Sequence, residues 1–102
     1  MTPEGRVKIK VKEMLKELGV AYFMPVGGLY GRGGVSDFIC CVHGHFVSIE
    51  AKKDGKTKPT KLQERFITDI RNARGIAMVA YEGNLDAVRS VLKRMLLSGE
   101  LQ

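Results

Sequence analysis

Asp37, Glu50 and Lys52 are two carboxylates and an ammonium set where one tight hairpin would gather them. Residues 36–42 and 45–51 are both strand-like, and between them stands His43-Gly44, a two-residue connection with glycine where a tight turn needs positive φ. With only two residues in the turn, Val42 faces His45, and pairing outward brings Asp37 opposite Glu50. Directly opposed side chains have Cβ atoms roughly 4.5 to 5.5 Å apart, where like charges destabilise the pair unless something positive lies between them. A divalent cation would meet that need. Lys52, two residues beyond Glu50, projects from the same face and lies diagonal to Asp37. The set holds the parts of phosphodiester hydrolysis: oxygen ligands for Mg2+ or Mn2+, and a lysine to position or activate water and stabilise transition-state charge.

The plainer reading is a solvent-facing hairpin on which the three charges merely pair with one another. Against it, Phe38, Cys40, Val42, Val47, Ile49 and Ala51 make an apolar opposite face, while Ile39 and Cys41 leave the charged face half apolar. The acids are therefore expected at the edge of a partly buried sheet. A three-residue turn would move the register by one and part them.

The flanks carry groups that grip phosphate or stack on bases. Residues 25–34 hold five glycines together with Tyr30 and Arg32, and Lys53, Lys56, Lys58 and Lys61 cluster just past the candidate site. The glycine run matches neither a P-loop nor a dinucleotide fingerprint, because no Gly-Lys-Ser/Thr follows and no helical pattern opens directly after it. His43 and His45 sit at the hairpin tip, too far from Asp37 to share a metal with it.

The elements that must position these groups follow from periodicity. Thr2-Pro3-Glu4 starts a helix with a capping hydroxyl, a first-turn proline and an acid at the positive end of the dipole. Val7, Val11, Leu15 and Leu18 form its apolar stripe and Gly19 ends it, with Glu4, Lys8 and Lys12 as a neighbouring polar row. A short strand is expected over 20–24. Thr60 caps a second helix with Leu62, Phe66, Ile70 and Ala73 on one side, ending near Gly75. Residues 76–81 read as a strand buried on both faces, and a last helix buries Leu85, Val88, Leu92, Met95 and Leu96 and stops at Gly99.

The chain of 102 residues is sized for one domain over 1–102, small enough that a homodimer is plausible wherever a site acts twice on one substrate. Its 17 Lys and Arg against 11 Asp and Glu give a net charge of +6, which attracts polyanions, nucleic acid first among them. Cys40 and Cys41 point to opposite faces of a strand and read as small core residues. No C-x-x-C pair, signal peptide or apolar run of membrane length is present, which favours a reducing, cytoplasmic setting and no membrane.

Gly34-Val35-Ser36-Asp37-Phe38-Ile39, followed by Ile49-Glu50-Ala51-Lys52 and by Lys58-Pro59-Thr60-Lys61-Leu62-Gln63, resembles the PD-(D/E)xK nuclease signature, and specifically its VRR-Nuc branch. Ser36 stands where that branch usually has proline. The resemblance runs from Glu4 to about Leu97 and implies an α/β, restriction-endonuclease-like core in the order α-β-β-β-α-β-α, with a mixed central sheet flanked by helices. It implies that Asp37, Glu50 and the Ala51 carbonyl bind Mg2+ or Mn2+, that Lys52 polarises the attacking water, and that Glu4 and Gln63 complete the site. Each of the last two has a competing role read from the residues alone: Glu4 as a charge at a helix start, Gln63 as the return arm of a capping box. The resemblance further implies a homodimer acting on branched DNA such as four-way junctions, in a bacterial cytoplasm and encoded by a phage or mobile element. The competing class is a non-catalytic basic nucleic-acid-binding module, in which the acids are incidental.

Overall fold

The first helix, α1 (Pro3–Glu17), begins where Thr2 Oγ1 accepts the Gly5 amide at 3.0 Å and proline supplies a pre-set φ. It ends in a Schellman arrangement: Gly19 adopts φ +69°, its amide bonds to the Lys16 carbonyl, and the Val20 amide reaches back to the Leu15 carbonyl. Val7, Val11, Met14 and Leu15 are its buried residues. The structure, a computed structural model, describes residues 1–27 and 31–99.

A four-stranded mixed sheet follows in sequence order, β1 (Ala21–Phe23), β2 (Phe38–Val42), β3 (His45–Ala51) and β4 (Ile76–Ala80). The first two pairings are antiparallel and β3 to β4 is parallel. The hairpin register is the expected one: Val42 faces His45 and Phe38 faces Ile49. His43 at φ 47° and Gly44 at φ 84° together make a turn with both central residues left-handed, the type whose twist suits a two-residue hairpin. The expected strand starts and ends shift slightly, β2 opening at Phe38 instead of Ser36 and β4 stopping at Ala80 before Tyr81.

One face of the sheet carries the core. Phe38, Cys40, Val42, Val47, Ile49 and Ala51 are all buried, and with them α1, Ala80, and Val88 and Leu92 of α3 (Leu85–Gly99) form one apolar cluster. The other face takes α2 (Lys61–Asn72), the crossover that makes β4 parallel to β3. Its buried residues are Phe66 and Ile67, which corrects the expected stripe: Leu62 is 56% exposed and Ala73 is exposed as well. The helix sits rotated with Phe66 and Ile67 inward, which turns Gln63, one residue on from Leu62, toward Glu50. Its end again has a left-handed residue, Arg74 at φ 70°, while Gly75 is needed for space, since a Cβ there would lie 2.8 Å from Ile70 Cγ2.

Two further expectations are corrected. Cys41 is exposed rather than core, because α2 packs chiefly on β4 at the far side of the sheet from β1 and β2, whereas Cys40 is buried as expected. In β4 only Ala77 and Ala80 are buried, the other three residues being half-buried. No described helix is long and apolar enough to cross a membrane.

Candidate metal and phosphodiester site

The site forms where the β2–β3 ladder stops. In a two-residue hairpin the hydrogen-bonded pairs alternate outward from Val42 and His45, so the Ala51 amide would ordinarily donate to the backbone of residue 36. It donates instead to Asp37 Oδ2 at 2.7 Å. The Asp37 side chain thus ends the strand pairing and is itself fixed beside Glu50. The Lys52 amide turns the other way, to the Ala80 carbonyl at 2.8 Å. Because the N–H and C=O of an extended residue leave on the same edge, the Ala51 carbonyl faces the Asp37 side.

Glu50 is deeper than the sequence suggests, at 3% exposure, with Lys52 at 7%. Lys52 Nζ lies 3.9 Å from Glu50 Oε2, an ionic contact longer than a hydrogen bond. Gln63 Nε2 donates to the same Oε2 at 3.1 Å, while Gln63 Oε1 accepts the Thr60 amide and the Thr60 hydroxyl accepts the Gln63 amide. Gln63 therefore forms the expected capping box and also contacts Glu50. Glu50 Oε1 is buried and has no partner among the described residues. Ser48 Oγ, one step back on the same strand face, is likewise buried and unpartnered, as is Ser36 Oγ.

Burial pushes the Glu50 carboxyl up to about 8 from the ordinary 4.5, aided by the Asp37 charge. The Lys52 ammonium opposes the shift and Glu4 adds to it. Burial first, and the neighbouring Asp37 charge second, thus favour a proton on Glu50.

Among the described residues no three His, Cys, Asp or Glu side chains gather as a metal cluster, so any cation here relies on Asp37, Glu50 and backbone oxygen. Those groups fit a hard divalent ion: all are oxygens, and one of them, Glu50 Oε1, is buried and without a partner among the described residues. Glu4 stands further out, joined to the site through Lys8, whose Nζ lies 3.4 Å from Asp37 Oδ1 and 3.9 Å from Glu4 Oε2. Lys8 is the site residue that sequence reasoning missed. Its spacing of four from Glu4 was the only signal, and that marks any solvated helix face.

The other candidates divide. Lys53, Lys56, Lys58 and Lys61 are exposed, and none is paired with a described carboxylate. Their loop is ordered by Asp54, which accepts from the Lys56 amide, the Thr57 amide and the Thr57 hydroxyl; these bonds hold its carboxyl below the usual range, the Thr57 hydroxyl foremost. Tyr81 packs over Gly55 in that loop, where a Cβ would come within 3.0 Å of its ring. Arg32, by contrast, is engaged on the protein's own surface, in an ion pair with Asp69 and 5.2 Å above the Phe66 ring. Tyr30 lies outside the described residues. His43 and His45 are exposed at the hairpin tip, away from the carboxylates.

The α/β fold with three α-helices around a four-stranded mixed sheet is the class of architecture the structure establishes. Comparison with family models, curated proteins and solved structures gave no match.

Proposed function

We propose that this chain is a metal-dependent DNA endonuclease of the VRR-Nuc branch of the PD-(D/E)xK nucleases, with a restriction-endonuclease-like core. The observation that carries the reading is the buried Glu50 carboxylate, raised to about 8 first by burial and then by the charge of Asp37, with its Oε1 buried and unpartnered among the described residues and its Oε2 3.9 Å from the Lys52 ammonium. Such a carboxylate is costly for a fold to keep without a cation to bind.

Asp37, Glu50 and the Ala51 carbonyl would hold Mg2+ or Mn2+, which supplies Lewis-acid polarisation of a phosphodiester oxygen and a more acidic water. Asp37 is oriented for this by the Ala51 amide, and Glu50 by Gln63. Lys52, buried along its stem, directs its ammonium to where negative charge grows during attack on phosphorus. The lysine loop contributes sequence-independent attraction to the backbone, as the net charge of +6 does at longer range. A homodimer with two sites would suit paired cuts on branched DNA such as four-way junctions.

The test is cleavage of labelled four-way-junction and linear duplex DNA by the purified protein with Mg2+ or Mn2+, against EDTA and Asp37→Asn. Metal-dependent cutting that the variant loses is the expected result. Binding of both DNAs regardless of metal, with neither cut, would replace the nuclease with a non-catalytic binding module.

A further inference from the structure

Both oxygens of Asp37 are already engaged: Oδ2 accepts the Ala51 amide at 2.7 Å, and Oδ1 faces the Lys8 ammonium at 3.4 Å. The Ala51 contact is part of the strand end and cannot be given up without unfastening Asp37 from β3. The Ala51 amide already takes one lone pair of Oδ2, which leaves Oδ1 the less committed oxygen for a cation, and that is the oxygen Lys8 holds. Lys8 also reaches Glu4 Oε2 at 3.9 Å, so a single ammonium bridges the two acids of the site that Gln63 and Lys52 do not serve.

This bridge differs from the molecule's other helix-surface pairs. Lys10 pairs with Glu82 and Arg89 with Glu17, whose carboxylates are more than half exposed, whereas Lys8 crosses from α1 to the part-buried Asp37 just before β2. The Asp37 side chain is only 20% exposed, so its charge is less screened by water than theirs.

We propose that Lys8 is a resident cation of the metal-free site, occupying Asp37 Oδ1 and Glu4 and competing directly with the divalent ion, so that it sets the affinity of the site for metal. The proposal rests on the reading of Asp37 and Glu50 as a cation site. Without metal, the ammonium neutralises part of the acidic cluster and keeps Asp37 aimed. A divalent ion on Oδ1 must push it aside, because two cations at one carboxylate oxygen repel each other. Removing the lysine should therefore strengthen metal binding, the reverse of what loss of a merely structural contact would do.

Calorimetric titration of the full chain with Mn2+ tests this, comparing the parent protein with Lys8→Met, Lys8→Arg and Asp37→Asn. Lys8→Met is expected to bind Mn2+ about threefold to tenfold more tightly, Lys8→Arg to stay within about twofold of the parent, and Asp37→Asn to lose the site. Should Lys8→Met fail to fold, Lys8→Gln, which keeps a polar side chain, carries the same expectation. Unchanged or weaker binding in the neutral variants, with Asp37→Asn still abolishing it, overturns the role of Lys8 and leaves the metal site standing. If neither the parent nor the neutral variants bind Mn2+, or if Asp37→Asn binds as the parent does, the cation-site reading itself falls and this proposal with it.

Discussion

Gln63 donates its Nε2 to Glu50 Oε2 across 3.1 Å while its Oε1 accepts the Thr60 amide at 2.9 Å, so one side chain both caps α2 and fixes a carboxylate on β3. The amide orientation follows from the partners, since the Thr60 N–H can only meet the oxygen.

That double duty can be separated by substitution. Gln63→Ala loses the capping box and is expected to cost about 1 kcal/mol in urea unfolding, along with cleavage activity. Gln63→Glu keeps an acceptor for Thr60 but presents no donor to Glu50, so it should retain the cap while cleavage falls by at least about tenfold. If Gln63→Ala melts early yet cuts DNA normally, Gln63 is a helix cap and nothing more.

The pH dependence of the metal-free protein follows from Glu50. Its folded value of about 8 exceeds the ordinary 4.5, so across that window the folded chain holds more protons than the unfolded chain. The contribution to stability is complete below 4.5, declines as pH rises, and is lost above about 8. Unfolding in urea across this range, with EDTA present, should show that decline, amounting to a few kcal/mol. Glu50→Gln should flatten it and be the more stable protein at the alkaline end; an equal slope in both would mean Glu50 is ionised in the fold.

Gly34 fastens the segment before Asp37 to the first turn of α2. It has φ +77°, and a Cβ there would come within 2.4 Å of the Leu62 carbonyl carbon and oxygen, which are backbone and cannot swing away. Gly34→Ala is expected to cost ~3 kcal/mol or more, combining left-handed strain with overpacking. Gly44→Ala, at φ +84° but with nothing within 4 Å, should cost only about 1 to 2 kcal/mol in the same denaturation experiment.

The lysine loop and Arg32 should behave differently toward DNA. Replacing Lys56 and Lys58 together by Ala is expected to lower the log–log salt slope of DNA binding by about two, with the melting temperature unchanged, as both side chains are exposed and unpaired among the described residues. Arg32→Ala should instead lower the melting temperature, and Asp69→Ala should do the same, because the pair and the Phe66 contact hold Arg32 against α2. A slope left intact by the double lysine change would remove the loop from the DNA interface.

The hairpin was legible in the sequence because it is local: a two-residue turn with glycine fixes register, and side-chain alternation then determines which residues share a face with Asp37 and Glu50. The ends of α1 and the capping box at Thr60 were legible for the same reason, being set by contacts within a few residues. Other features depend on how distant elements dock. Helical periodicity alone allowed Leu62 to face inward, but burial of Phe66 and Ile67 rotated α2 and brought Gln63 to Glu50. Cys41 is left exposed because α2 packs chiefly on β4 and not over β2, which no local pattern records. Lys8 and Asp37 are 29 positions apart in the chain and meet only because α1 passes the end of β2. The sequence by itself determined which groups could do chemistry and which of them one hairpin would join. The tertiary structure decided how deeply Glu50 is buried and which cation stands beside Asp37, since desolvation and long-range charge depend on everything packed around a group and not on its neighbours in the chain.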